Sequence, residues 1–249
     1  MSKVDALRIK LFLDGAELPA MKEAVASNPL IKGFTTNPTL MRKAGIADFA
    51  AFAKEAIAAV GNRSISFEVF SDDFATMERE AREIHSWGGN TYVKIPVTNT
   101  KGASSAALVR KLSAEGIALN VTAILTTAQV REVGAALSPR TPSIVSVFAG
   151  RIADTGLDPM PLMRECVGIL GDRPRAELLW ASPRELLNIF QADEVGCHII
   201  TATKDVLAKL SLVGKDLSQY SLETVQMFYR DAAGAGYRLV PPVKATTAA

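Results

Sequence analysis

The sequence predicts an α/β protein folded as one closed (β/α)8 barrel of the TIM-barrel class. Three observations lead there. Short apolar runs rich in β-branched residues alternate with segments of helical spacing, giving eight strand–helix units of near-equal length. No Pro/Gly/Ser-rich linker or change of composition divides these units, and 249 residues suits a single barrel of this kind. Alternating units imply a parallel sheet, and eight of them close it. An open doubly wound sheet is the rival; it would leave edge strands, and its glycine-rich nucleotide loop is missing. The chain 1–249 is thus read as one domain: a barrel over about 8–212, a further helix near 221–233 and a loose tail at 244–249.

Residues 10–15 form the first strand, ending in Asp14 and Gly15. Leu18, Met21, Ala24 and Val25 give residues 17–28 a helical face that stops at Asn28-Pro29. The second strand, 32–38, is broken by Pro38, and 39–47 reads as a connecting stretch. An alanine-rich helix over 48–60 closes at Gly61-Asn62. Residues 64–70 alternate as strand three, and 73–87 form a charged amphipathic helix. Strand four, 92–97, is entered through Gly88-Gly89-Asn90 and leads to a helix over 102–115. Strand five covers 118–124, after which Thr126 and Gln129 have the spacing of a capping box. Strand six covers 143–149, followed by a loop holding Arg151 and a helix over about 159–171. Strand seven spans 175–182, with Ser182-Pro183-Arg184-Glu185 as a second capping-box start. Strand eight, 197–203, and a helix over about 204–210 complete the barrel.

Composition excludes several classes of function. Net charge is +2 with both signs interspersed, so neither a nucleic-acid face nor an anionic membrane face is implied. An aromatic content of 6% leaves no stacking platform for single strands. There is no signal-peptide shape at Met1-Ser2-Lys3-Val4-Asp5 and no apolar run of membrane-spanning length, and Cys166 and Cys197 lack a CxxC spacing. A cytoplasmic protein with reduced thiols is expected. Two histidines, His85 and His198, make no histidine-rich metal site, and no HExxH, P-loop or GxGxxG appears. The chemistry is therefore read as side chains and substrate, with no cofactor and no metal.

The segment Tyr92-Val93-Lys94-Ile95-Pro96-Val97 sets a lysine inside a buried strand. Burying an ammonium without a partner is costly, whereas a neutral buried amine is what a Schiff-base nucleophile requires. A solvated lysine on an edge strand is the plainer reading of this segment alone. Strand parity decides between them, because alternate side chains face the barrel interior and the helices. Val93, Ile95 and Val97 make the helix-facing set, which turns Lys94 inward. The same test turns Ser66 and Glu68 inward on strand three and Asp14 to the inner mouth of strand one. It gives Thr35 and Asn37 on strand two, Asn120 and Thr122 on strand five, with Leu119, Val121 and Ala123 outward, and Ser146 and Phe148 on strand six. Polar groups thus converge toward the carboxyl ends of the strands, where barrel enzymes place their active sites. The plainer alternative, a satisfied polar plug, leaves the expense of so many buried polar groups unexplained.

A lysine amine beside carboxylic acids is equipment for carbinolamine and imine formation with a carbonyl. Glu68, with Thr122 holding a water, suits the proton donor for dehydration. Asp14 suits the base that takes a substrate hydroxyl proton as the adjacent carbon–carbon bond breaks, though it also reads as a turn cap before Gly15. At the other end of the substrate, Arg151, Ser182 and Arg184 are candidates for an anion at a late loop and a helix start. Ser182 reads equally as an N-cap and Arg151 as a solvated arginine.

Phe12-Leu13-Asp14, Gly33-Phe34-Thr35-Thr36-Asn37-Pro38-Thr39, Tyr92-Val93-Lys94-Ile95-Pro96-Val97-Thr98, Gly116-Ile117-Ala118-Leu119-Asn120-Val121-Thr122 and Ser146-Val147-Phe148-Ala149-Gly150-Arg151-Ile152 occur in this order. In these motifs the sequence resembles the transaldolases and their relatives the fructose-6-phosphate aldolases. The resemblance implies Lys94 as the Schiff-base lysine, Asp14 as the acid/base of carbon–carbon cleavage and Glu68 with Thr122 as a water-holding relay. It implies Asn37, Asn120 and Ser146, in the pocket with Thr35 and Phe148, as binders of a dihydroxyacetone unit, and Arg151, Ser182 and Arg184 as phosphate binders. It further implies sugar-phosphate substrates in carbohydrate metabolism of the pentose phosphate pathway, and assembly into homo-oligomers. Within the family, transaldolases carry glutamate and phenylalanine where the aldolases carry glutamine and tyrosine; Glu68 and Phe148 place this chain with transfer. The alternatives are an aldolase that releases free dihydroxyacetone, a transferase for another ketose, and an inactive barrel used as a binding protein. Pro183 and Leu125 stand where relatives often have aromatic residues, both near the expected acceptor site.

Overall fold

The computed structural model describes residues 3–240, so the tail expected at 244–249 lies outside the described residues. The order of elements is β1 (Lys10–Asp14), α1 (Leu18–Ser27), β2 (Ile31–Thr35), α2 (Pro38–Lys43), α3 (Phe49–Val60), β3 (Ser64–Glu68), α4 (Phe74–Ser86), β4 (Thr91–Pro96), α5 (Ala106–Ala114), β5 (Leu119–Ile124), α6 (Thr127–Ala136), β6 (Ser143–Val147), α7 (Ala149–Asp154), α8 (Pro159–Ile169), β7 (Ala176–Trp180), α9 (Leu187–Glu194), β8 (Ile199–Ala202), α10 (Lys204–Ala208) and α11 (Leu217–Gly234), with a 3-10 turn at Lys209–Leu212 before α11. The eight strands pair in sequence order, and β8 closes on β1 through a parallel ladder. The (β/α)8 TIM barrel expected from the alternation is the fold.

Two apolar layers hold it. Helix-facing strand residues such as Phe34, Phe67, Ile95 and Val121 pack under the helices and are essentially inaccessible. Inside the barrel a smaller cluster of Phe12, Ile144, Leu179, Ala181 and Ile199 fills the floor. Gly33 is required there, because a Cβ would come within 2.5 Å of both the Phe12 ring and Ser64 Oγ. Above this floor the inward positions become polar, which sets the depth of the site.

Local chemistry starts the helices. Asp48, Asp73 and Asp158 accept hydrogen bonds from the first-turn amides of α3, α4 and α8. Thr126 and Gln129 form the expected capping box on α6. Four expectations are corrected. β2 ends at Thr35 rather than at Pro38, and Asn37 is the N-cap of α2 instead of a strand residue, since its Oδ1 accepts from Leu40 N at 3.0 Å and proline suits a first helical position. Arg151 lies on the short helix α7 rather than in a loop. Ser182 is no N-cap: Pro183 disfavours the helical region for the residue before it, and Ser182 has φ 58°, so α9 begins only at Leu187. Finally, β5 shifts register between Val121 and Ile124, with Ala123 at φ 62°, so Ala123 lines the mouth of the barrel instead of facing outward.

Both cysteines are free and buried, and burial pushes each thiol up to about 12. No helix among the described residues is long and apolar enough to cross a membrane.

Candidate active site

The carboxyl ends of the strands surround a cavity of about 590 Å³. All twelve residues nominated from the sequence line it: the four proposed for chemistry, the five for the sugar and the three for the anion. Their convergence follows from register. Glu68 on β3 pairs with Lys94 on β4, and Lys94 pairs with Asn120 on β5, so three inward polar side chains stand at one height. Two residues further along, Pro96 pairs with Thr122, and across the barrel Asp14 pairs with Thr35.

Lys94 is buried, 6% exposed, and its Nζ donates to the Thr36 carbonyl at 2.7 Å while lying 3.2 Å from Glu68 Oε2. The amine is held by two oxygens, one of them a carboxylate able to exchange a proton with it. Ser146 Oγ donates to Asn120 Oδ1 at 2.7 Å, and Asn120 Nδ2 donates to Ser66 Oγ at 3.0 Å, a chain that fixes the amide's orientation beside the lysine. Thr122 Oγ1 is buried without a hydrogen-bond partner among the described residues, a demand that a substrate atom or a water can meet.

Asp14 Oδ1 accepts from Thr35 Oγ1 at 2.7 Å. Burial pushes the Asp14 carboxyl above its usual range; the Lys94 charge and the Thr35 hydroxyl oppose this, and the Glu68 charge adds to it. Asp14 is thereby moved toward working as both base and acid.

At the outer rim, the Arg151 guanidinium lies 5.1 Å from the centre of the Phe148 ring. Arg184 Nε donates to Asp154 Oδ1 at 2.9 Å, and its Nη2 donates to Asp154 Oδ2. Asn188 Oδ1 accepts from the Arg184 backbone amide at 2.8 Å and from that of Glu185 at 3.1 Å, bracing the loop that carries the arginine. Sequence reasoning missed Asp154 and Thr201. Asp154 falls three residues after Arg151, on the same side of α7, a helix too short for its periodicity to show in the sequence. Thr201 was within reach of the parity test, because it alternates with the inward Ile199 on β8.

A family model described as transaldolase/fructose-6-phosphate aldolase matches residues 11–239. The chain is 36% identical over 226 residues to a probable transaldolase of Thermoanaerobacter sp., covering 90% of this chain and 98% of that protein. It is 33% identical over 203 residues to a probable transaldolase of Dehalococcoides mccartyi, covering 81% and 90%. Among solved structures, 3-hexulose-6-phosphate synthase from Salmonella typhimurium aligns with a TM-score of 0.54 at 16% identity, covering 78% of this chain and 89% of that one; a likeness at that identity carries the barrel alone. With the matched span taking in the whole barrel and its lysine strand, the chain belongs to the transaldolase/fructose-6-phosphate aldolase family.

Proposed function

We propose that this transaldolase-family enzyme moves a dihydroxyacetone unit from a ketose phosphate to an aldose phosphate through an imine at Lys94. The observation that carries the reading is the buried Lys94 amine, 3.2 Å from Glu68 in a cavity that also holds Asp14. The amine adds to the ketose carbonyl, and the carbinolamine loses water as Glu68 and a water on Thr122 supply and take protons. Asp14 takes the proton from the hydroxyl on C4, the far carbon of the C3–C4 bond to be broken, so that C4 becomes the aldehyde carbon. That bond's electrons pass to the iminium, giving an enamine, and an aldehyde departs. An acceptor aldehyde then enters; the enamine attacks it, Asp14 returns the proton, and hydrolysis frees Lys94. Asn37, Asn120 and Ser146 hold the hydroxyls of the three-carbon unit beside Thr35 and Phe148. Arg151, Ser182 and Arg184 take the terminal phosphate at the rim. No cofactor or metal enters this scheme.

Borohydride with fructose 6-phosphate should add a reduced dihydroxyacetone unit to Lys94, read by mass spectrometry of the peptide; an unlabelled lysine would overturn the imine. The transferase assignment rests on Glu68 and Phe148. With fructose 6-phosphate alone, free dihydroxyacetone should form far more slowly than the product formed when erythrose 4-phosphate is added. Equal rates with and without acceptor would make the enzyme an aldolase.

Assembly of identical chains is the second part of the reading. Among the described residues nothing buries α11, although Leu222, Val225, Phe228 and Tyr229 lie along it. Such a helix has no core of its own, and packing supplies most helical stability. Light scattering should give a mass that is a multiple of 26.6 kDa, and Phe228→Glu should lower it. A monomer at micromolar concentration would overturn this part alone.

A further inference from the structure

Thr201 on β8 has no role in the scheme above, yet its hydroxyl is buried in the wall of the cavity, 6% exposed. Thr201 Oγ1 lies 2.5 Å from Thr35 Oγ1, which lies 2.7 Å from Asp14 Oδ1. The direction of this chain follows from counting protons. A hydroxyl has one proton, and ionised Asp14 can only accept. Thr35 therefore spends its proton on Asp14, and the Thr35–Thr201 bond has to be donated by Thr201. Both hydroxyl dipoles then point at the carboxylate.

We propose that Thr201 is a positioning residue for the acid/base step: by donating to Thr35 it commits Thr35 to Asp14 Oδ1, favours the ionised carboxylate and leaves Oδ2 for the substrate hydroxyl. The proposal rests on the reading of Asp14 as the base. Hydrogen bonds in such a chain polarise one another, so the second dipole strengthens the first. The charged groups that act on Asp14 are Lys94 on β4 and Glu68 on β3; Lys43, Arg151 and Arg184 line the same cavity, and Glu17, Lys43, Lys204 and Asp205 share a neighbouring pocket with Asp14. The Lys94 charge favours the carboxylate and the Glu68 charge opposes it, so neither fixes which way the Thr35 proton points. Burial works against ionisation, and the chain from β8 through β2 offsets part of that effect.

The sign of the test follows. Donor cleavage needs Asp14 as carboxylate, so kcat/KM for the ketose falls on the acid side as Asp14 gains a proton. Thr201→Val and Thr201→Ala remove the second dipole and should move this limb to higher pH by about half a unit, whereas Thr201→Ser should restore it. Thr35→Val should move the limb further, and adding Thr201→Val to it should move it no more, because Thr201 acts only through Thr35. Borohydride trapping at Lys94 checks that each variant is folded, since imine formation does not use Asp14. An unmoved limb in both Thr201 variants, or an equal Thr201 effect in the Thr35→Val background, overturns the proposal. An Asp14→Asn enzyme with undiminished cleavage would instead overturn the reading of Asp14 on which it rests.

Discussion

Lys94→Arg and Lys94→Met should each lower kcat/KM for the ketose donor by on the order of 10⁴-fold or more and abolish borohydride labelling, while the barrel stays folded. The two variants separate what a lysine supplies. Arginine keeps a cation facing Glu68 across the 3.2 Å contact but cannot lose its proton to become a nucleophile. Methionine matches the length and flexibility of the lysine stem and removes the charge. It leaves the Thr36 carbonyl without its 2.7 Å donor, while Glu68 still borders the open cavity. Its melting temperature should therefore stay within several degrees of the parent, a change of about 1 kcal/mol in a domain of this size. If both variants retain turnover, the amine is not the nucleophile. If only the arginine variant retains it, Lys94 acts as an electrostatic group, and the imine has to be abandoned even though the fold and family stand.

The site was legible in the sequence wherever it rides on strands buried from both sides. Alternation in β3, β4 and β5 leaves no freedom: once Phe67, Ile95 and Val121 are placed under the helices, Glu68, Lys94 and Asn120 must share the interior. Legibility stops where the ladder does. Ala123 breaks the alternation because a register shift reverses its direction, and nothing in its residue type announces that. Ser182 looked like a cap because its spacing to Glu185 was right, but the constraint imposed by Pro183 outweighed a single side-chain hydrogen bond. The short helices α2 and α7 carry too few residues for periodicity to declare itself. The Arg184–Asp154 pair joins residues thirty apart through a loop, so no spacing rule reaches it. Thr201 is different: strand parity with Ile199 turns it inward, but a lone threonine carries no charge or motif that marks it as part of a site.

Gly150→Ala should have a large effect although it alters no cavity side chain's identity. A Cβ on residue 150 would stand 1.5 Å from the Ser182 carbonyl oxygen and 2.5 Å from its carbonyl carbon. Both atoms are backbone, so no rotamer change relieves the overlap, and α7 must move away from the segment after β7. The Gly150 amide bond to the Ala181 carbonyl, 3.2 Å long, holds those two segments together and would be lost in the movement. Overpacking of this kind costs about 3 kcal/mol, enough to lower the melting temperature by several degrees. The functional consequence should be confined to one end of the substrate, because Arg151 follows on α7 while Ser182 and Arg184 sit on the other side of the seam. Lys94, Glu68 and Asp14 lie on β4, β3 and β1, whose ladders the seam does not touch. KM for a phosphorylated ketose should therefore rise about tenfold or more, the equivalent of one weakened charge-assisted contact, while borohydride still labels Lys94 at saturating ketose. A Gly150→Ala enzyme that loses kcat at unchanged KM would mean that the seam governs the imine chemistry, and Arg151, Ser182 and Arg184 would then have to be reassigned from anion binding.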